Sequence, residues 1–272
     1  MFGDVTRVGA NFHAQEAWGN LKKVNGQIGQ IQSRLSTGKR INSAEDDTSG
    51  YALSKHLESR TRGLSQALDN VGTAKNVLNI AEGGFQAQMT ILQTMKEKAT
   101  QAADGSYSSA QRTAIQDQFA ALRTEFDDIS SDTKFNDNAL MSATAMTFHV
   151  GERSTDTLAV TFGTSVAATV GEDNTDISAT TLATQAGAVT GISTLDTAIK
   201  SLAKSIQNVG DNNARLSSKE ESLSLAISNT EATRSRIEDA DFAKEQMSMM
   251  KLQILQQTTM SSFSQANSAP QM

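Results

Sequence analysis

Residues 57–85 read "LESRTRGLSQALDNVGTAKNVLNIAEGGF", and their spacing decides the fold. Leu57, Leu64, Val71, Leu78 and Phe85 lie seven residues apart, and the grid continues through Leu92 and Ala99. A companion grid holds Leu53, Arg60, Ala67, Ala74, Ala81, Gln88, Met95 and Ala102, with Arg60 and Gln88 its polar members. Two interleaved heptad grids describe one apolar stripe on a helix, the geometry of a coiled-coil seam. At about 1.5 Å per residue that helix is roughly 75 Å long. Gly83 and Gly84 are where it is expected to bend, since glycine costs up to about 1 kcal/mol in a helix interior.

The same spacing appears on either side. Upstream, Ala10, Ala14, Ala17, Leu21, Val24, Ile28, Ile31 and Leu35 alternate steps of four and three. The polar, doubly acidic stretch "RLSTGKRINSAEDDTSGYALS" of residues 34–54 separates this seam from the next. Downstream, "DGSYSSAQ" breaks the chain, and Ile115, Phe119, Leu122, Phe126 and Ile129 mark a third helix ended by "TKFNDNALM", whose Asn and Asp favour a turn. The period then falls to two. Phe148 and Val150 alternate with His149, and Leu158, Val160 and Phe162 alternate with Ala159 and Thr161, which predicts a β-hairpin around "GERSTDT". Residues 163–190, rich in Thr, Ala, Ser and Gly, show no period and read as surface loop.

Heptads return from Ile192. Leu195, Leu202, Val209, Leu216, Leu223, Thr230 and Ile237 share one grid; Ile192, Ile199, Ile206 and Ile227 share another, interrupted by Asn213 and Glu220. After "SRIEDADFAKEQ" a last segment carries Met247, Met250 and Ile254 on one side, with Met249, Leu252, Leu255 and Phe263 on others. A helix apolar on several sides needs several neighbours. The N- and C-terminal helices are expected to lie side by side, and their leftover apolar stripes predict self-association.

Bulk properties exclude several classes. The 272 residues carry a formal charge of −6, so the basic face of a nucleic-acid binder is not expected. The absence of cysteine excludes disulfides and thiolate metal sites. No apolar run reaches the roughly 20 residues of a membrane span, and the opening "MFGDVTRVGANFH" lacks the apolar centre of a cleaved secretory signal. The single proline, Pro270, leaves long helices unbroken. With aromatics at 5%, small and medium aliphatics must do the packing.

No catalytic or cofactor pattern emerges. His13, His56 and His149 are scattered and lack the H-E-x-x-H spacing, and "GAVTG" at Gly187 lacks the lysine of a phosphate-binding loop. Glu45, Asp46 and Asp47 read as helix-start acids that satisfy free backbone N–H groups rather than as a cation site. Glu238, Asp239 and Asp241, after Arg234 and Arg236, read as salt-bridging or helix-end charges, and Met247, Met249 and Met250 as a packed helix face rather than a promiscuous groove.

Two stretches carry a family likeness. "RLSTGKRINSAEDDTSGYAL" resembles the N-terminal signature of bacterial flagellin, and "SRIEDADFAKEQMSMMKLQILQQ", continuing through "QANSAPQ", resembles its C-terminal signature. "TKFNDNALM" is similar to the family's turn after the third helix. The resemblance covers approximately residues 14–142 and 192–271. It implies a mainly α fold: a long antiparallel, coiled-coil-like bundle of paired N- and C-terminal helices, with a small β-hairpin region in the middle. It also implies the function, a subunit that assembles into the helical filament of the flagellum, with no catalysis and no cofactor.

The resemblance further implies domains. Residues 1–46 and 235–272 would form an inner coiled-coil layer lining a channel. Residues 47–234 would form an outer helical layer, with helices at 47–104, 108–131 and 191–234 and the hairpin and loop at 143–190. Arg34, Leu35, Arg40, Asn42, Asp46 and Asp47, with Lys39 and Glu45 beside them, would serve as spoke and subunit contacts, answered by Arg236, Ile237 and Asp239 on the return path. Leu21, Val24, Ile28, Ile31, Met250, Leu252, Ile254 and Leu255 would pack the inner layer. The implied partners are copies of the chain itself, the flagellar export apparatus, an export chaperone, and junction and cap proteins. Nucleic acid and a membrane span are not expected. Export without a cleaved signal, through a type III apparatus that threads unfolded chains, would place the product outside the cell, in a filament that is naked, sheathed or periplasmic.

Departures from the family pattern carry expectations too. With about fifty residues between Met141 and Gly191, the filament should be thin and nearly smooth. The opening "MFGDVTRVGANFH" and the ending "APQM" differ from the usual termini. Thr94, Lys98 and Gln118 stand where receptor-recognised flagellins carry arginine, leucine and glutamate, so recognition by the flagellin-sensing Toll-like receptor should be weak. The Thr/Ser-rich stretch 154–190 is a candidate for O-glycosylation. Rival readings are the hook–filament junction protein of the same superfamily and, from another class, a coiled-coil signalling rod.

Overall fold

Seven-residue spacing becomes helix over most of the chain. The computed structural model describes residues 11–142 and 145–268, so the unusual termini lie largely outside the described residues. The elements, in order, are α1 (Phe12–Thr37), α2 (Thr48–Ala103), α3 (Ser109–Asp132), β1 (Lys134–Phe135), β2 (Asn138–Ala139), β3 (Ala145–His149), β4 (Thr157–Thr161), β5 (Ser165–Val166), β6 (Thr169–Val170), α4 (Gln185–Glu238) and α5 (Phe242–Ser268). The strands pair antiparallel as β1–β2, β3–β4 and β5–β6. The chain divides into two compact units, one within Met1–Thr61 and Ser228–Met272 and the other Arg62–Ile227. Those divisions fall inside α2 and α4, whereas the motif reading places its layer boundary at 46/47 and 234/235.

The unit of residues 62–227 holds the hydrophobic core. From Leu64 onward both heptad grids of α2 are buried, through Leu78, Phe85 and Leu92 on one and Ala74, Ala81 and Met95 on the other. They pack with Ile115, Phe119 and Phe126 of α3 and with Leu195, Leu202, Val209, Leu216 and Leu223 of α4. Polar pairs record the antiparallel course of α2 and α4: Lys75 with Glu220 at 2.8 Å, Asn79 with Asn213 at 3.1 Å, and Lys96 with Asp196 at 2.5 Å. The polar member of the grid, Gln88, is fully buried and fully used. Its Nε2 donates to the backbone oxygens of Phe126 and Ser165, and its Oε1 accepts from Ser165 Oγ. A buried carboxamide with every partner in place fixes one alignment of α2, α3 and the β5–β6 hairpin.

Local chemistry sets the ends of α3. Ser108 accepts from the Gln111 N–H while Gln111 Oε1 accepts from the Ser108 N–H, a reciprocal capping box. After α3, Asn136 and Asp137 take left-handed backbone angles between β1 and β2, as a two-residue hairpin turn requires. The β3–β4 hairpin forms in the register Phe148↔Leu158, with Leu158 and Val160 buried.

Helix α2 runs through Gly83 and Gly84 without interruption, and the glycine at 84 serves close approach: a Cβ there would lie 2.7 Å from Thr133 Oγ1 and 3.0 Å from Met141 Sδ. Two expectations need correction. Helix α4 begins at Gln185, ahead of the expected 191. Residues 163–190 are not a surface loop. They contain the β5–β6 hairpin and bury Ala167, Val170, Ile177 and Leu182 in the core. The segment is tied in by Ser201 Oγ, which donates to Val170 O, and by Asp127, which accepts from the Ala167 N–H. Isolated apolar residues among small polar ones leave no periodicity, so this packing was invisible to spacing rules.

The other unit is a helix pair with little interior. Its contacts run in opposite chain directions: Asn11 Nδ2 to Ala266 O at 2.7 Å, Trp18 against Phe263 with centroids 5.7 Å apart, Gln256 Nε2 to Asn25 Oδ1 at 2.7 Å, and Arg34 to Glu245 at 3.6 Å. Among its described residues the buried apolar side chains are Leu21, Val24, Ile31 and Ile41.

Candidate functional site

Two features of the terminal-helix unit can act. One is the pairing, inside it, of the α1–α2 connection with the α4–α5 connection; the other is the outward surface of α5.

At the first, Gly38 closes α1 in the left-handed region at φ 71, which glycine adopts without a Cβ penalty. The following residues then pair with the return path. Arg40 N donates to Glu238 O at 2.6 Å, Ala240 N donates to Gly38 O at 2.9 Å, and Arg40 Nη2 reaches Ile237 O at 2.7 Å. The Glu238 side chain, 5% exposed, sits at the centre. It meets Lys39 Nζ at 2.5 Å, accepts from Ser54 Oγ at 2.7 Å and lies 3.8 Å from Arg234. Burial pushes its carboxyl up, but the Lys39 and Ser54 hydrogen bonds and the charges of Lys39 and Arg234 outweigh that and hold it below the ordinary range.

Asp46 and Asp47 divide the acidic work. Asp46 accepts from Gln30 Nε2 and from the backbone N–H groups of Asn42 and Ser43, which together hold its carboxyl low. Asp47 Oδ1 accepts from the Gly50 N–H at 2.9 Å and so opens α2. Asp241 does the same for α5 through Ala243 and Lys244. These acids are spent on backbone donors. Among the described residues no group of three or more His, Asp or Glu is placed to hold a metal ion.

Of the residues named from sequence, Arg34, Arg40, Asn42, Asp46, Asp47 and Ile237 take part in these contacts or in the pairing of α1 with α5. Leu35 is half-buried on α1, and Arg236 is exposed. Asp239 contributes backbone only, its bridge to Lys39. Spacing rules missed Ser54, Gln30 and Arg234 as contributors, and read Glu238 merely as one of three acids. A buried acid is recognisable only once its partners, up to 199 residues away in sequence, are brought to it.

A folded-state carboxyl held low contributes stability that is complete above its unfolded range, about 4.3, and that fades as pH falls through the folded value. We therefore expect Glu238→Gln to cost about 1 kcal/mol at neutral pH. Unfolding curves from pH 7 to 3 should show the difference from wild type shrinking in acid; a constant gap across that range would contradict this role.

At the second feature, exposure is the observation. Helix α1 turns Leu21, Val24 and Ile31 inward, whereas no described side chain of α5 is buried. Leu252 is half-buried, while Met250, Ile254 and Leu255, expected as inner packing, are 54%, 67% and 43% exposed in the single chain. Met247, Met250 and Ile254 step by three and four residues, a second seam that this molecule leaves uncovered. Phe12, Trp18, Leu53, Phe242 and Met260 add to the exposed apolar surface of the same unit.

The bacterial flagellin N-terminal helical region matches residues 8–146, and the C-terminal helical region matches residues 192–272. The chain belongs to the bacterial flagellin family. Several relatives span it almost entirely. Flagellin FlaB1 of Treponema pallidum (strain Nichols) is 33% identical over 274 residues, 96% of each chain. The flagellar filament core protein flaB2 of Brachyspira hyodysenteriae is 31% identical over 273 residues, again 96% of each. A chain described as a flagellar hook-associated protein, from Vibrio parahaemolyticus, shares the fold with a TM-score of 0.59 at 12% identity, covering 71% of this chain and 100% of that one. This flagellin is a structural subunit that self-assembles into the flagellar filament. None of these matches favours the junction-protein or signalling-rod readings. Among its described residues no helix is long and apolar enough to cross a membrane.

Proposed function

We propose that α1 and α5 form the inner, channel-lining layer of the filament and residues 47–234 its outer helical layer. The paired strands of chain at 38–46 and 235–241 are the spoke between them. The observation that supports this reading is the uncovered Met247–Met250–Ile254 seam, which one chain cannot shelter and which neighbouring copies would cover. Contacts of this kind that do not close a ring give an open filament. Arg40, Asn42 and Arg236, at the edge of the crossing, are placed to meet neighbouring subunits. The protein has no enzymatic role. It leaves the cell through the flagellar export apparatus with its N-terminus uncleaved, assisted by an export chaperone and met by junction and cap proteins. Electron microscopy after salting-out tests the assembly: long, thin fibres are expected, and monodisperse dimers would overturn it.

The same reading extends to host recognition. Thr94 and Lys98 are half-buried one turn apart on α2, and Gln118 is exposed on α3. A threonine, a lysine and an uncharged glutamine remove the arginine, apolar and acidic groups that such a receptor surface needs. A Toll-like receptor reporter assay should respond weakly to purified filaments; a strong response would refute this.

A further inference from the structure

We propose that Met247, Met250 and Met260 are an oxidation-sensitive control on assembly, modified in the free subunit and shielded in the polymer. The inference rests on the assignment of the outward α5 surface to subunit contacts. The chain has no cysteine and ten methionines, so sulfur oxidation falls on thioethers alone. The fold sorts them sharply. Met95 and Met141 are 0% and 2% exposed in the core, whereas Met247, Met250 and Met260 are 60%, 54% and 61% exposed. Met247 and Met250 belong to the uncovered seam, and Met260 is exposed further along the same helix. The most accessible sulfurs of the described chain are therefore on its unsheltered apolar surface.

The chemistry is balanced by a peroxide. A thioether lone pair attacks one peroxide oxygen, the O–O bond breaks, and a sulfoxide and water are formed. Sulfur loses two electrons and the peroxide gains them. A thiol-dependent methionine sulfoxide reductase returns two electrons and restores the thioether. Each sulfoxide puts a polar, strongly hydrated oxygen on a seam that has to be desolvated for packing. A charged replacement would be permanent; this one is reversible.

The test uses the full-length chain. Monomer and preformed filament are treated with hydrogen peroxide, oxidation is mapped by peptide mass, and polymerisation is followed by sedimentation. In the monomer, oxygen should appear first on Met247, Met250 and Met260. The free subunit concentration in equilibrium with polymer should then rise at least about tenfold, equivalent to about 1.4 kcal/mol. Reductase treatment should restore it, and filament should resist the same dose. The variant Met247→Leu/Met250→Leu/Met260→Leu should polymerise after peroxide as before it. Oxidised wild type that assembles normally, or a triple variant equally inhibited by peroxide, would overturn the proposal while leaving the filament assignment intact. Failure of untreated wild type to polymerise would instead count against that assignment.

Discussion

Ile254→Asp is expected to leave the subunit folded and to abolish its polymerisation. Ile254 is 67% exposed in the single chain, so an aspartate there removes little packing from the monomer. In the polymer the same position would be buried, forfeiting about 1.5–3 kcal/mol of apolar burial and adding the cost of desolvating an unpaired carboxylate. That loss recurs at every subunit added. Leu252→Asp is the companion experiment. Leu252 is half-buried on the side of α5 that faces α1, so its replacement should loosen the helix pair before assembly begins. Circular dichroism of the monomer separates the two: helix content unchanged for Ile254→Asp and reduced for Leu252→Asp, with sedimentable polymer lost in both. Normal filaments from Ile254→Asp would show that the outward seam is not an assembly surface.

The second large effect falls in the other unit, residues 62–227. Gly171→Ala should destabilise the core unit by about 2–5 kcal/mol. A side chain in the left-handed region costs roughly 1–2 kcal/mol, and crowding a packed interior typically adds about 1–3 kcal/mol. Both apply here. Gly171 has φ +68, and a Cβ on it would come within 2.5 Å of the Ser201 backbone carbon. A backbone neighbour on α4 cannot swing aside as a side-chain tip can. Gly72→Ala is the control: nothing lies within 4 Å of its added Cβ, so alanine in mid-helix should stabilise by about 0.5–1 kcal/mol. Denaturant unfolding measures both, and a neutral Gly171→Ala would mean that residues 163–177 do not pack as described.

That segment shows where sequence reading stops. Heptad grids revealed α2 nearly residue by residue, because a seam buried from Leu64 to Ala102 must repeat its apolar positions. They located Gln88 as a polar member but not its purpose, which depends on a serine and a carbonyl supplied by β5 and α3. They failed on residues 163–190, where Val170, Ile177 and Leu182 anchor irregular backbone singly and without period. At the chain crossing, the motif identified the neighbourhood through Arg34, Arg40, Asp46 and Asp47. The centre of that crossing, Glu238 held by Lys39 and Ser54, is a long-range contact that no local pattern encodes. On α5 the sequence shows apolar residues on several sides, and in the single chain Met247, Met250, Ile254, Leu255 and Met260 are exposed.

Amide hydrogen exchange on monomer and polymer tests that claim most directly. The account predicts fast exchange along α1 and α5 in the free subunit, slow exchange in the core of residues 62–227, and strong new protection of 242–268 on assembly. Equal protection of α5 in monomer and polymer, independent of concentration, would contradict it.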